Sequence, residues 1–276
     1  MSVMQAGIFS RTYAAKDEAV FAAIKADGFS AAQLNLSSLG LESLPSSLPE
    51  DVMLQAKADA AKHGVALVAL SGTYNMAHPD IAYRNAQRAR FTNVVKAAKL
   101  MGIGVITLCT GSRDPNNMWA HHEDNHLPEA WRDFRAELDA ALLLADGLTL
   151  AIEPEPGNVV RDAKIARRLL DEVGSPHLKI ILDAANLIGP DGLSRQHEIM
   201  AEAFNLLGAD VVLAHAKDID ASGNVVPPGQ GAIDLTSFVE GLTRAHYSGA
   251  LIAHGFEEKD AATAGAALNA FLKSQT

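Results

Sequence analysis

The sequence predicts a closed (β/α)8 TIM barrel, a single domain over residues 1–276. Three observations carry that prediction. Short runs rich in Val, Ile and Leu recur along the whole chain, each followed by a polar turn and then by apolar residues at helical spacing. Eight such units can be counted, which suits a parallel barrel rather than a smaller open sheet. The composition, 48% hydrophobic but only 5% aromatic, matches a buried parallel sheet wrapped in Ala-rich helices.

The strands are expected at residues 4–9, 31–36, 65–70, 105–109, 148–153, 178–183, 211–216 and 250–255. Between them the helices carry their own stop signals. Residues 16–26 end at Asp27-Gly28, residues 49–62 at His63-Gly64 and residues 79–101 at Gly102, each glycine suiting a left-handed C-cap. Further helices are expected at 128–145, 163–173, 196–207, 235–245 and 260–272. No Pro/Gly-rich linker or charge block interrupts the series, so no second domain is predicted. An open doubly wound sheet alternates in the same way. The count of eight and the lack of Gly-x-Gly-x-x-Gly after the first strand favour closure.

Composition also narrows the function. The formal net charge is -10, with no basic patch interleaved with aromatics, so nucleic acid is not an expected partner. No apolar run approaches the roughly 20 residues of a membrane span. A cytoplasmic protein acting on a small molecule is expected. Cys109 is the one cysteine, which excludes an intrachain disulfide and any multi-cysteine zinc site. Metal ligands must therefore come from His, Asp and Glu.

The chemistry is written at the ends of the last four strands. Leu-Thr-Leu-Ala-Ile runs into Glu153, Leu-Lys-Ile-Ile-Leu into Asp183, Val-Val-Leu-Ala into His215 and Leu-Ile-Ala-His-Gly-Phe into Glu257. In a barrel closed in sequence order these ends are neighbours around the C-terminal mouth, where barrel enzymes keep their catalytic groups. Three carboxylates beside an apolar barrel would repel one another unless a cation joined them. Three oxygen donors and one imidazole suit Mn²⁺ best, with Mg²⁺, Co²⁺ or Zn²⁺ as alternatives. The competing reading of each residue alone is a solvated loop group or a helix N-cap.

Several more residues are placed to finish a pocket. Lys217, two residues beyond His215, points to the same side of the strand and could bind substrate, or form a surface ion pair. Asp218 could contact substrate or hydrogen-bond the His ligand. Glu155 follows Glu153 on the same loop. Asn158 there is either a sugar ligand or a helix cap. The segment from Arg113 to His126 is long and polar and carries Trp119 among His121, His122 and His126, which reads as a lid over the mouth rather than as a second metal site. Arg113 is a candidate substrate contact, and Trp119 could stack on the apolar face of a sugar or pack in the core. Arg11 and His78 follow the first and third strands; His78 either contacts substrate or begins a helix. His254 reads as a hydrogen-bonded core histidine. Pro227-Pro-Gly-Gln-Gly231 lacks the Lys-Ser/Thr ending of a phosphate loop.

In this order and spacing, Thr110-Gly-Ser-Arg-Asp-Pro115, Ile152-Glu-Pro154, Leu182-Asp183, His215-Ala-Lys-Asp218, Pro228-Gly-Gln-Gly-Ala-Ile-Asp234 and His254-Gly-Phe-Glu257 resemble the landmarks of the xylose isomerase-like TIM-barrel superfamily. The resemblance is to its sugar phosphate isomerase/epimerase members related to D-tagatose 3-epimerase, and more distantly to endonuclease IV. It implies metal binding by Glu153, Asp183, His215 and Glu257. It also implies a dual role for Glu153 and Glu257, which would exchange a proton on opposite faces of the carbon beside a carbonyl through a metal-stabilised enediolate. Where epimerases of this group carry a substrate-contacting His three residues after the metal-binding Asp, this chain has Asn186, which can orient a hydroxyl but cannot titrate. The expected activity is a sugar isomerase or epimerase. The alternative is a lyase that expels a leaving group from the same intermediate. An endonuclease would call for more His/Asp ligands and a basic surface; a non-catalytic sugar-binding protein would have lost a ligand. A homodimer or tetramer is expected from the resemblance.

Overall fold

The computed structural model describes residues 4–273. Eight parallel strands close into a barrel: β1 (Gln5–Phe9), β2 (Ala31–Leu34), β3 (Ala66–Ser71), β4 (Val105–Cys109), β5 (Thr149–Glu153), β6 (Leu178–Asp183), β7 (Val211–His215) and, last in the ring, β10 (Ala250–Ala253), which pairs with β1. Helices α1 (Glu18–Ala26), α2 (Glu50–Lys62), α3 (Ile81–Met101), α4 (Pro128–Ala145), α5 (Ala163–Val173), α7 (Gln196–Leu207), α8 (Leu235–Arg244) and α9 (Ala261–Lys273) form the outer layer. The predicted barrel is the observed one.

Two features add to it. A short helix, α6 (Ala184–Gly192), follows β6 directly and is broken at Gly189, whose φ of 58° is open to glycine but costly for other residues. A two-stranded antiparallel hairpin, β8 (Asp218–Ile219) with β9 (Val225–Val226), stands over the mouth after β7. The predicted strand at 31–36 is shorter than expected, because Asn35 caps a 3-10 turn over Leu36–Leu39 by accepting from the Ser37 N–H.

Strand alternation sorts the core into two sets. Outward residues such as Ala32, Leu34, Ile106, Leu108, Ile152, Ile180, Leu182 and Ala214 join the main cluster under the helices. Inward residues Ala31, Ala69, Ala151, Ile181, Leu213, Ala250 and Ile252, with Phe9, Val68, Val105 and Val212, form a second cluster inside the barrel. Small residues of β2, β3 and β5 (Ala31, Ala69, Ala151) share that interior with larger ones of β6 and β7 (Ile181, Leu213). Gly7 shows how tight it is, since a Cβ there would lie 2.5 Å from Ile252 Cδ1.

At the opposite, N-terminal end of the barrel, Asp210 bridges two elements, accepting from Lys179 Nζ at 2.6 Å and Arg167 Nη1 at 2.9 Å. Burial pushes its carboxyl up, but these two cations outweigh burial and hold it below the usual range. A depressed carboxyl contributes stability that is present above its unfolded pKa and lost as pH falls through the folded value. Asp210→Asn is therefore expected to cost about 1 kcal/mol at pH 7. The gap in Tm from the parent should narrow as the pH falls below the ordinary aspartate range and through the lowered folded value.

Candidate metal centre at the barrel mouth

The inward set continues by one more step at the C-terminal ends of the strands. Ala151 is followed two residues on by Glu153, Ile181 by Asp183, Leu213 by His215 and Ile252 by His254, so all four polar residues crown one layer of the barrel interior. One potential ligand atom from each lies within 4.8 Å of the others. Among the described residues this is the one such group of His, Cys, Asp and Glu.

The fourth member differs from the expected one. Glu257 stands beyond Gly255, where the left-handed φ of 91° turns the chain out of the strand. Its carboxylate is 75% exposed and paired with Lys259 Nζ at 2.7 Å. His254, expected to be a core histidine, takes the place by strand parity. Its Nε2 lies 3.3 Å from Asp183 Oδ2 and its ring meets that of His215 edge-on, centroids 4.4 Å apart. Burial, then the neighbouring His215, lowers the His254 pKa, which favours a neutral ring with a free lone pair.

Around the four donors the charges are arranged in opposition. Asp183 is fully buried; burial opposes its ionisation, but Lys217 at 3.4 Å and His254 overcome this and hold it well below the usual carboxylate range. Its Oδ1 also accepts from the Ala185 N–H at 2.9 Å, which starts α6. Glu153 Oε1 lies 3.0 Å from His215 Nδ1 and accepts from Asn186 Nδ2 at 2.9 Å. Despite burial, His215 lowers the Glu153 carboxyl. Asn186 in turn accepts from Lys217 Nζ, so its amide joins the lysine to Glu153. Burial lowers the lysine and the surrounding Asp183, Glu155 and Glu153 raise it, with a net upward shift. Glu155 behaves oppositely: burial, then the charge of Glu153, pushes it up to about 8.

A cavity of about 460 Å³ opens above this centre, lined among others by Glu153, Glu155, His215, Lys217, His254 and Trp119. Neutral polar groups, including Asn35, Ser71, Thr73 and Thr107, occupy much of the remaining wall, with Arg11 on the side of the first strand. Trp119 is 52% exposed, so its ring is presented to the opening rather than packed in the core. Its loop is pinned from beneath. Asn158 donates to the Met118 carbonyl at 2.9 Å and accepts from the Gly111 N–H at 2.7 Å, while Asn125 donates to the Gly157 carbonyl at 2.8 Å. Asn158 therefore holds loops together and does not cap a helix. His121 and His126 have ring centroids 5.5 Å apart but belong to no donor cluster among the described residues.

Three other expected substrate contacts are engaged elsewhere. Arg113 donates to Asp133 at 2.8 Å and to the Ala77 carbonyl at 3.2 Å, tying the loop to α4. His78 accepts the Asp80 N–H at its Nδ1 (3.0 Å) and stacks on Tyr83 at 4.0 Å, so it organises the start of α3. Asp218, fully buried, does not line the cavity and is not hydrogen-bonded to His215. It accepts backbone N–H groups of Ile219, Gly229 and Gly231 at 2.9 Å and of Ile233 at 3.1 Å, which folds the 218–233 loop around one carboxylate.

A closed parallel barrel with two acids and two imidazoles converging at its C-terminal mouth defines the molecule as a TIM barrel with a candidate metal centre. The chain belongs to the xylose isomerase-like TIM barrel family, whose model matches residues 21–275. Similar solved structures include a D-tagatose 3-epimerase-like protein (TM-score 0.79, 15% identity, 98% of each chain covered). A D-psicose 3-epimerase determined in the presence of D-fructose has a TM-score of 0.75 at 18% identity, covering 98% of this chain and 99% of that one. The IOLI protein with a bound zinc atom has a TM-score of 0.76 at 16% identity, covering 99% of each. The chain also matches, at TM-score 0.72 and 16% identity, 43% of a fusion of a xylose isomerase-like TIM barrel with 4-hydroxyphenylpyruvate dioxygenase. No curated protein matches the sequence.

Proposed function

We propose that the protein is a divalent-metal-dependent sugar isomerase or epimerase that moves a proton on the carbon beside a carbonyl. The observation that carries this reading is the convergence of Glu153, Asp183, His215 and His254, of which Glu153, His215 and His254 line the cavity at the barrel mouth. Two buried carboxylates so close together need compensating positive charge, and their donor atoms already converge as a cation requires. Family membership and the epimerases among similar structures agree with it.

With His254 in place of a third carboxylate, the donor set is two oxygens and two nitrogens. This shifts the preferred ion from Mn²⁺ toward Zn²⁺ or Co²⁺, because imidazole-rich sites suit those borderline ions better. Such an ion would supply Lewis acidity to a substrate carbonyl. The chain's own residues do the rest. Glu153 is positioned by Asn186 and His215 to take the proton, and Glu155 on the same loop, rather than the exposed Glu257, is the second proton carrier facing the cavity. Lys217 presents an ammonium to a substrate oxygen, the neutral polar wall hydrogen-bonds hydroxyls, and Trp119 offers an apolar face to a sugar ring.

The test is solvent exchange. Incubated in D₂O with a panel of keto-sugars, protein restored with Zn²⁺ or Co²⁺ is expected to place deuterium on the carbon next to the carbonyl, and chelator-treated protein is not. An epimer or aldose as product supports the isomerase reading. A dehydrated product would show instead that the same proton abstraction serves a lyase, and absence of exchange with every sugar would remove the isomerase reading.

A further inference from the structure

Gln33 lies inside the barrel on β2, almost fully buried, outside the four-donor group yet in contact with it. The pairing of β2 with β3 slips by one residue just before Gln33, the kind of local irregularity that re-aims side chains beside functional sites. Its carboxamide spans the interior between two strands. Oε1 lies 2.8 Å from His215 Nε2, and the amide nitrogen donates to Thr107 Oγ1 at 3.2 Å. The other imidazole nitrogen, Nδ1, is the one turned to Glu153.

We propose that Gln33 is a positioning residue that selects the tautomer of His215. A neutral imidazole has one donor and one acceptor nitrogen, and the group bonded to one of them decides which is which. With the Gln33 amide nitrogen committed to Thr107, its oxygen faces His215 and accepts the Nε2–H. In the metal-bound centre Nδ1, the nitrogen 3.0 Å from Glu153 Oε1, would then present its lone pair to the ion held with Glu153, Asp183 and His254. Glutamine is the side chain that does this without cost elsewhere. A leucine of similar size would leave the buried Nε2–H unpaired, and a glutamate would add a third carboxylate to the two already buried there. Partners of this kind on a ligand's outer nitrogen fix both ring orientation and basicity.

The inference rests on the reading of the four donors as a metal centre, and its test separates the two. Zn²⁺ affinity is measured by competition with a chromophoric chelator, and the His215 ring nitrogens are followed by long-range ¹H–¹⁵N correlation in the zinc-loaded protein. Wild type is expected to show a protonated Nε2 and a zinc-bound Nδ1. Gln33→Met should weaken zinc binding about 10- to 100-fold. Gln33→Glu, which keeps the acceptor, should retain the Nε2–H signature, and zinc-free melting curves verify that both variants fold. Zinc on Nε2 in wild type, or wild-type affinity in folded Gln33→Met, would overturn the role of Gln33 while leaving the metal centre intact. A wild-type protein that binds no zinc would overturn the metal reading, and the role of Gln33 with it.

Discussion

Glu153→Gln is expected to lower the rate of deuterium incorporation into a keto-sugar by about 10²- to 10⁴-fold, the usual contribution of a positioned acid–base group. The substitution keeps the size and one oxygen of the side chain, so the hydrogen bond from Asn186 Nδ2 can persist and the barrel should remain folded. What it removes is the basic carboxylate and one anionic donor of the candidate metal centre. Glu257→Gln, by contrast, should leave exchange within a factor of about two, because that carboxylate faces solvent and pairs with Lys259 at a surface site of little energetic weight. The pair of variants, assayed by NMR at saturating metal, distinguishes a chain whose proton carriers lie in the cavity from one that uses both strand-end glutamates.

Asp218→Ala is expected to be the most destabilising single change in the mouth. Four backbone N–H groups converge on this one buried carboxylate, and hydrogen bonds to a buried charge contribute about 1.5–3 kcal/mol each in isolation. They are not additive, and the freed loop can reach water, so a net loss of about 3–5 kcal/mol is the expected scale. The close fit has a second cause, since a Cβ on Gly231 would lie 2.2 Å from Asp218 Oδ1, which shows how tightly the loop wraps its anchor. Because the same hairpin brings Val225 to the cavity, the variant should show a raised KM as well as a lowered Tm. Thermal melting and substrate titration of Asp218→Ala check both halves; an unchanged Tm would mean that the loop is held by something else.

The barrel could be read in the sequence because each strand is a short aliphatic run and several helices stop at a glycine. Gly102 and Gly174 do adopt the left-handed cap conformation after α3 and α5. The hairpin of β8 and β9 could not be read, since two-residue strands leave no period to detect. At the mouth, Glu153, Asp183 and His215 stood out as the final residues of apolar runs, and these three are brought together. The fourth strand end misled because the acidic residue nearest to it is Glu257, four residues past the point where the strand stops. The signal that points to His254 was present: it follows Ile252 by two, as Glu153 follows Ala151 and His215 follows Leu213. Chain position makes Asp218 a candidate substrate contact or partner of His215 and leaves His78 between a substrate contact and a helix start, the second of which the structure shows. Their actual partners are backbone N–H groups brought in by loop geometry, which spacing does not encode. Gln33 was overlooked for a related reason, because its partners His215 and Thr107 lie on strands remote in sequence.

The most direct test of the centre is an anomalous difference map from crystals of the zinc-loaded protein. One peak among Glu153, Asp183, His215 and His254, with Glu257 turned to solvent, is the expected result. A peak ligated by Glu257 with His254 turned away, or one lying only in the loop of His121 and His126, would contradict the account.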